Sequence, residues 1–168
     1  MLDNTEDILE GFAKRVIQQS RTRLTKGKKN SSRKLYDSLK YDLKTSANAF
    51  ILNFFMEDYG IFQDKGVSGK FKKYKTPVSY KDKMPPPKAL DKWIVRKGLK
   101  GARNEQGQFI KRKSLQYLIA RSIYRKGIKP SNFFTKSFEQ AFEKLPKELV
   151  DAYKLDLEEF LTSATSGN

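Results

Sequence analysis

The chain has 168 residues, no cysteine and no histidine, and its 35 Lys and Arg exceed 19 Asp and Glu to give a formal net charge of +16. The missing residue types exclude a disulfide framework, thiolate chemistry, the Ser-His-Asp triad and the usual Cys/His zinc sites. Because like charges in an isolated fold only repel, the excess favours a polyanionic or acidic partner, with nucleic acid first, an acidic protein second and anionic lipid third.

No pattern for catalysis or membrane insertion is present in the sequence. The candidate carboxylates lie on predicted helices where solvation or lysine pairing explains them, and there is no glycine-rich phosphate loop. The longest apolar run, residues 49–56, is far too short to span a bilayer, and the acidic N-terminal segment is unlike a signal peptide. We therefore expect a protein without enzymatic activity, metal, cofactor or membrane segment.

Residues 3–25 are predicted to form an amphipathic helix, because apolar side chains recur at helical spacing. Asp3, followed three residues later by Glu6, is typical of a capped N-terminus. The expected apolar face comprises Ile8, Leu9, Phe12, Val16 and Leu24. The next segment, residues 26–34, holds no apolar side chain and is predicted to be an extended, solvated loop.

A β-hairpin is predicted between residues 35 and 56. Leu35, Leu39, Tyr41 and Leu43 alternate with polar side chains, which indicates a strand with one buried face. Residues 49–56 form a second, more apolar strand, and the turn is predicted at residues 45–46.

The middle of the chain combines a short helix with a long loop. Residues 57–65 are predicted to be helical, ended by Gly66 in the left-handed conformation. Residues 67–88 are predicted to be irregular, and they include the basic and aromatic run Lys70–Lys75. A loop of this length in a compact domain is usually functional or disordered.

Four further helices are predicted, at residues 87–98, 114–126, 131–142 and 146–161, from apolar spacing and flanking Pro or Gly. The helix at 114–126 is expected to bury Leu115, Leu118, Ile119 and Ile123. The residues expected in the core also include Phe133, Phe134 and Phe138.

Together these elements predict an α+β fold in which four to five helices pack on a small antiparallel sheet, the β-hairpin, with a long basic loop inserted. We expect a single domain over residues 1–161 with extended loops near 26–34 and 67–88. The tail at residues 162–168 is expected to fray.

The positive charge is concentrated in three blocks, which are the candidate contacts to nucleic acid or an acidic partner. The Lys70–Lys75 run could stack Phe71 or Tyr74 on an unpaired base, although both rings are more simply explained as anchors to the protein's own core or to a neighbouring subunit. The 26–34 block fits phosphate contact no better than an ordinary solvated loop. The cations on the 114–126 helix could equally pair with acidic helices of the same or a neighbouring chain. The candidate residues are Lys26, Lys28, Lys29, Arg33, Lys34, Lys70, Lys72, Lys73, Lys75, Arg121 and Arg125.

Several segments resemble the head–tail connector, or tail-completion, proteins of tailed bacteriophages. Those proteins begin with a basic amphipathic helix that leads into a β-hairpin, and a proline-aromatic stretch later opens a helix. The matching segments are Phe12–Leu24, Leu35–Met56, Asp58–Gly66 and Ile128–Phe138. Residues 89–94 (ALDKWI) and 119–128 (IARSIYRKGI) are similar to connector proteins of phages that infect Bacteroidetes, including crAss-like phages. The insertion at about 67–112 is absent from the shorter connector proteins of lambdoid phages, so the resemblance implies no role for it.

The resemblance implies a non-catalytic ring homo-oligomer in the virion neck or tail, made in the host cytoplasm. Such a ring joins head and tail, contacts neighbouring portal, neck or tail proteins, and surrounds or contacts double-stranded DNA in the channel. It transfers no catalytic residue, metal or cofactor. The alternatives are a free, sequence-nonspecific nucleic-acid-binding protein and a regulatory protein directed at an acidic host target.

Overall fold

The computed structural model describes residues 2–29, 31–46, 49–99 and 103–166. Contacts divide the chain into two compact units. Unit 1 comprises residues 1–26, 35–57 and 133–168, and unit 2 comprises residues 27–34 and 58–132. The segment expected to form one domain, residues 1–161, therefore contributes to both units.

The longer helices of unit 1 are α1 (Asp3–Lys26), α6 (Thr135–Phe142) and α7 (Leu145–Ser166). The predicted helix at residues 3–25 is confirmed as α1. Its apolar stripe faces the core, because helical spacing places these side chains on one face. The apolar residues of α1 that are buried are Phe12, Ala13, Val16, Ile17 and Leu24.

The predicted hairpin is confirmed, but it is shorter at its start. Residues 34–38 form a short helix, α2 (Lys34–Ser38), and the strands are β1 (Lys40–Ser46) and β2 (Ala49–Phe55), paired from Lys40↔Phe55 to Ser46↔Ala49. Leu35 and Leu39 are both buried. Their spacing of four suits one face of a helix as well as alternate strand positions, so the pattern did not distinguish the two. Strand β1 continues through the predicted turn, and residues 47 and 48 lie outside the described residues.

Phenylalanines join α1, β2 and α6 in unit 1. The ring of Phe12 meets those of Phe54 and Phe138 edge-to-face, with centroids 6.3 and 5.4 Å apart, and Phe54 meets Phe134 at 5.5 Å. Aromatic pairs favour such geometry. Phe133 is almost completely buried, so the expected core placement of Phe133, Phe134 and Phe138 is confirmed.

The first turn of α1 is held by a carboxylate from α7. Asp156 is 2% exposed and accepts hydrogen bonds from the backbone N–H groups of Asn4 and Thr5, both at 3.0 Å, and from their side chains. These N–H groups have no partner within their own helix. Nearby, the guanidinium of Arg15 donates two hydrogen bonds to the Glu148 carboxylate.

Unit 2 contains α3 (Gly60–Lys65), β3 (Val67–Ser68), a 3₁₀ turn at Pro87–Leu90, α4 (Asp91–Arg96), α5 (Arg112–Lys126) and β4 (Gly127–Ile128). Strand β3 pairs antiparallel with β4. The α+β class is therefore confirmed, with seven α-helices among the described residues instead of four to five.

The buried face of α5 is rotated relative to the one predicted. Leu115, Ile119 and Ile123 are half-buried, but Leu118 is exposed. Gln116 and Ala120 are its buried residues, whereas Leu118 is 47% exposed. The Gln116 amide donates a hydrogen bond to the carboxylate of Asp91, which Arg112 also binds with two hydrogen bonds of 2.6 Å. This polar contact turns Gln116 inward, and helical geometry then leaves Leu118 outward.

Helix α7 has an apolar stripe that no described residue covers. The helix extends through Ser166, past the point where fraying was expected, and residues 167 and 168 lie outside the described residues. The stripe consists of side chains that are 42–60% exposed, namely Val150, Tyr153, Leu157, Phe160 and Leu161.

Within the described ranges, none of the helices combines the length and apolar character needed to cross a bilayer. The same ranges hold no group of three or more acidic residues placed to bind a metal ion.

Candidate nucleic-acid interface

Two glycines allow the basic loop of unit 2 to lie directly on the end of α5. A Cβ atom at Gly69 would lie 2.3 Å from the carbonyl oxygen of Arg125, and one at Gly127 would lie 2.1 Å from that of Val67. Gly127 also has a φ of +74° with ψ near 180°, a region that is essentially restricted to glycine. Only glycine therefore permits this approach of the two backbones.

The loop caps the C-terminus of α5. The N–H of Lys70 donates to the carbonyl of Tyr124 at 2.8 Å, and those of Phe71 and Lys72 donate to the carbonyl of Arg125 at 3.1 and 3.2 Å. The last carbonyls of a helix have no partner within it and carry its negative dipole end. The lysines of the loop are thus placed where their charge is favourable.

Further hydrogen bonds close the loop on itself. The Ser68 hydroxyl accepts the N–H of Tyr74 at 2.9 Å and donates to its carbonyl at 2.8 Å. The N–H of Gly69 donates to the carbonyl of Lys72 at 2.8 Å. The start of the segment predicted to be irregular is therefore a folded turn.

Tyr124 anchors this turn to α5. Its hydroxyl donates to the carbonyl of Lys81 at 2.9 Å, and the ammonium of Lys70 lies 5.7 Å from its ring centroid. Its ring also meets the edge of Tyr80, whose phenol pKa is raised by burial.

A basic groove of about 600 Å³ lies where the turn meets α5. Phe71 is 68% exposed at its edge, and the guanidinium of Arg125 lies 5.3 Å from the centroid of that ring. No carboxylate is found among the described residues that line it. The lining residues are Phe71, Lys72, Leu118, Arg121, Ser122, Arg125 and Lys126. We call this the α5 groove.

The structure brings together the candidate cations from two of the three basic blocks. Lys72, Arg121 and Arg125 line the α5 groove. Lys70 stands beside it over Tyr124. The ammonium of Lys73 turns back to the carbonyl of Gly69 at 3.0 Å.

Lys75 is exposed but does not line the groove. None of the described residues of the Lys26–Lys34 block lines the α5 groove. Lys26 ends α1 and lines a separate cavity of unit 1 with Lys14, Arg21 and Lys40. In unit 2, the carbonyl of Lys28 accepts a hydrogen bond from the Lys97 ammonium at 2.7 Å. Lys29, Arg33 and Lys34 are exposed.

The sequence also indicated Lys126 and Lys129, with Arg121 and Arg125, as a possible basic stripe on the exposed side of this helix, and Lys126 lines the groove. Sequence reasoning missed Ser122, and it assigned Leu118 to the core. Phe71 was expected to be anchored in the core or on a neighbouring subunit, and its exposure excludes the first. The available signal was the pair of glycines, Gly69 before the basic run and Gly127 at the end of the predicted helix. The sequence alone does not show that these two glycines approach each other.

Charge is separated between the two units. Unit 2 holds 24 Lys and Arg against 5 Asp and Glu, a net charge of +19. Unit 1 holds 11 against 14, a net charge of −3, and the two values give the +16 of the chain. The entire positive excess therefore belongs to the unit that carries the α5 groove.

Comparisons with protein-family models, with curated proteins and with solved structures found no match to this chain.

Proposed function

We propose that this protein is a non-catalytic nucleic-acid-binding protein that contacts the sugar-phosphate backbone through the α5 groove. The observation that supports this most directly is the convergence of Lys72, Arg121, Arg125 and Lys126 around one groove, without a lining carboxylate. Cations in this arrangement neutralise phosphates and release counterions, whatever the base sequence.

Phe71 favours nucleic acid over other polyanions. Its exposed ring stands among cations, with Arg125 beside it. Aromatic rings beside cations are typical of proteins that stack on unpaired bases, and arginine suits phosphate because its planar donors bind two oxygens at once. A polymer with charge but no bases would bind the cations but would have no base to stack on the ring.

The test is a salt titration of affinity for fluorescently labelled single- and double-stranded oligonucleotides of unrelated sequences. We expect similar affinity for all sequences and a linear fall of log K with log salt concentration. The double variant Arg121→Gln/Arg125→Gln should reduce the slope for duplex by about 2 and the affinity by at least about tenfold. The matched control, Lys144→Gln/Lys147→Gln, removes the same charge from unit 1 and should change neither value comparably.

Phe71→Ala separates base stacking from electrostatics. We expect weaker binding of single strands, by roughly 1 kcal/mol or more, with unchanged binding of heparin, which has charge but no bases. Equal effects of the two double variants would contradict a role for the α5 groove. Equal loss of heparin and single-strand binding in Phe71→Ala would contradict the stacking role.

A second candidate function is the ring-forming connector of a phage neck or tail, as the family resemblance implies. The observation that favours it is the exposed apolar stripe on α7, because contiguous apolar surface of this kind marks an interaction site. Light scattering in high salt without nucleic acid tests it. A discrete ring-sized oligomer supports the connector, whereas a monomer that associates only on DNA supports a free nucleic-acid-binding protein.

A further inference from the structure

A cavity in unit 1 has no role in the proposed function. It lies between the second half of α1 and residues 36–41, and its volume is about 840 Å³. Sites for small molecules commonly enclose about 300–1,000 Å³, so a ligand of nucleotide size fits. None of the described residues lines both this cavity and the α5 groove. We call it the α1 cavity.

The lining of the α1 cavity is positively charged, although unit 1 as a whole carries a net charge of −3. Among the described residues, four cations and no carboxylate line it, namely Lys14, Arg21, Lys26 and Lys40. Glu10 partly neutralises Lys14 through an ion pair of 2.5 Å. Lys26 and Lys40 are exposed, and neither forms an ion pair with a described carboxylate. Their ammonium groups can therefore bind an anion.

Arg21 is fixed in position by the protein itself. Its Nε and one Nη donate to the carbonyl oxygens of Tyr36 and Leu39, both at 3.1 Å, and its guanidinium carbon lies 5.1 Å from the centroid of the Tyr36 ring. These hydrogen bonds use two of the five N–H donors of an arginine. The other donors can bind phosphate oxygens, and a guanidinium that is already fixed loses less conformational entropy on binding.

The uncharged part of the lining suits a flat ring. The buried side chains of Ile17 and Leu39 line the cavity together with the half-buried rings of Tyr36 and Tyr41. Arg21 covers one face of Tyr36, whereas no cation or ring in the described part of the chain stacks on Tyr41. An aromatic ring beside cations favours a ligand that combines a planar ring with negative charge.

A nucleotide has both properties. We propose that the α1 cavity binds a nucleotide, with its phosphate at Arg21, Lys26 and Lys40 and its base against the ring of Tyr41. Inorganic phosphate would leave the apolar walls uncovered, and a nucleoside would leave the cations without an anion. The nucleotide can be free in solution or stand at the 5′ end of a strand, because both present the same groups. The proposal is independent of the α5 groove, which has other lining residues.

Calorimetric titration with AMP, adenosine and inorganic phosphate provides the test. AMP should bind at least about tenfold more tightly than either fragment, because each fragment makes only part of the contacts. Lys26→Gln/Lys40→Gln should weaken AMP binding by at least about tenfold, because two contacts to the phosphate lose their charge. The matched control, Lys44→Gln/Lys147→Gln, removes two exposed lysines of unit 1 that do not line the cavity, and it should leave the affinity unchanged.

Tyr41→Leu tests the position of the base. Leucine keeps an apolar side chain at this position but removes the ring, so AMP affinity should fall by at least about fivefold. Binding of inorganic phosphate should not change. The circular dichroism and melting temperature of Lys26→Gln/Lys40→Gln, whose replaced side chains are exposed, should match those of the wild type.

Three results would overturn the proposal. Phosphate that binds as tightly as AMP would show that the cavity is an anion site without a preference for nucleotides. AMP binding that survives Lys26→Gln/Lys40→Gln but is lost in Arg121→Gln/Arg125→Gln would place the ligand in the α5 groove. Absence of AMP binding at millimolar concentration would also rule the site out, while oligonucleotide binding through the α5 groove would stand or fall by its own titration.

Oligonucleotides with and without a 5′-phosphate distinguish the two sources of the nucleotide. A preference for the 5′-phosphorylated strand that disappears in Lys26→Gln/Lys40→Gln would support binding of a strand end. AMP binding without such a preference would support a free nucleotide as the ligand.

Discussion

Asp156 shows how one side chain can connect distant parts of the chain. It lies on α7 and accepts the otherwise unpaired N–H groups at the start of α1. Burial alone would raise its pKa, but the hydrogen bonds from Thr5 and Asn4 outweigh burial and hold the pKa below its ordinary value. The ionised form is therefore the one that stabilises the fold.

Replacement of this carboxylate should destabilise the protein. In Asp156→Asn, the amide group turns a donor toward the donors of Asn4 and Thr5, so the free energy of unfolding in urea at pH 7 should fall by roughly 2 to 3 kcal/mol. The control Asp151→Asn removes an exposed carboxylate from the same helix and should change it by less than about 0.5 kcal/mol. Equal losses in the two variants would contradict this role.

The effect should also depend on pH. Because the folded-state pKa is depressed, the contribution of Asp156 is complete above its unfolded value, near 4, and is lost as the pH falls through the folded value. The difference in unfolding free energy between wild type and Asp156→Asn should therefore shrink between pH 5 and pH 2. A difference that stays constant over this range would show that the charge is not involved.

At the scale of elements, the α5 groove depends on a turn that fits against a helix end. Three backbone N–H groups of the turn bind the last carbonyls of α5. The conformation of the turn places Phe71 and the flanking lysines, so the groove should fail if the backbone cannot approach the helix.

Gly127→Ala tests this dependence. The new Cβ would lie 2.1 Å from the carbonyl oxygen of Val67 in a conformation that suits only glycine, and unfolding should become easier by roughly 2 kcal/mol or more. Amide hydrogen exchange should accelerate at residues 70–72, and nucleic-acid affinity should fall. Gly98→Ala also has a positive φ but adds its Cβ to open space. Gly98→Ala should lower the free energy of unfolding by about 1 kcal/mol and leave amide exchange in the turn unchanged. Accelerated exchange in both variants would contradict the close approach at Gly127 as the cause.

Elements that depend on local periodicity could be predicted from the sequence, whereas features that depend on contacts between distant residues could not. Helix α1 and the core phenylalanines followed from periodicity, because burial of one face is the dominant local requirement. The loss of Leu118 from the core came from the pairing of Gln116 with Asp91, which is 25 residues distant along the chain. The cations at the groove were recognised as candidates by charge, but their convergence depended on the packing of two glycines.

At the scale of the whole molecule, the separation of charge makes a prediction about where nucleic acid binds. Unit 2 carries +19 and unit 1 carries −3, so phosphate should bind unit 2 in preference to unit 1. A net charge of +16 spread evenly would give no such preference.

Lysine acylation followed by mass spectrometry should reveal this preference for unit 2. Saturating duplex DNA is expected to protect Lys70, Lys72 and Lys126 several-fold, while Lys44 and Lys147 in unit 1 keep their reactivity. Both groups are exposed in the absence of DNA, so each serves as a reference for the other. Equal protection in the two units would contradict binding through unit 2.

The division into two units affects the order in which parts of the chain can fold during synthesis. The residues that line the groove lie between Phe71 and Lys126 along the chain, whereas unit 1 needs α6 and α7 to complete the surroundings of α1. Domains fold as their residues emerge during synthesis. The residues that line the groove are therefore available for folding before α6 and α7, the packing partners of α1, have been translated.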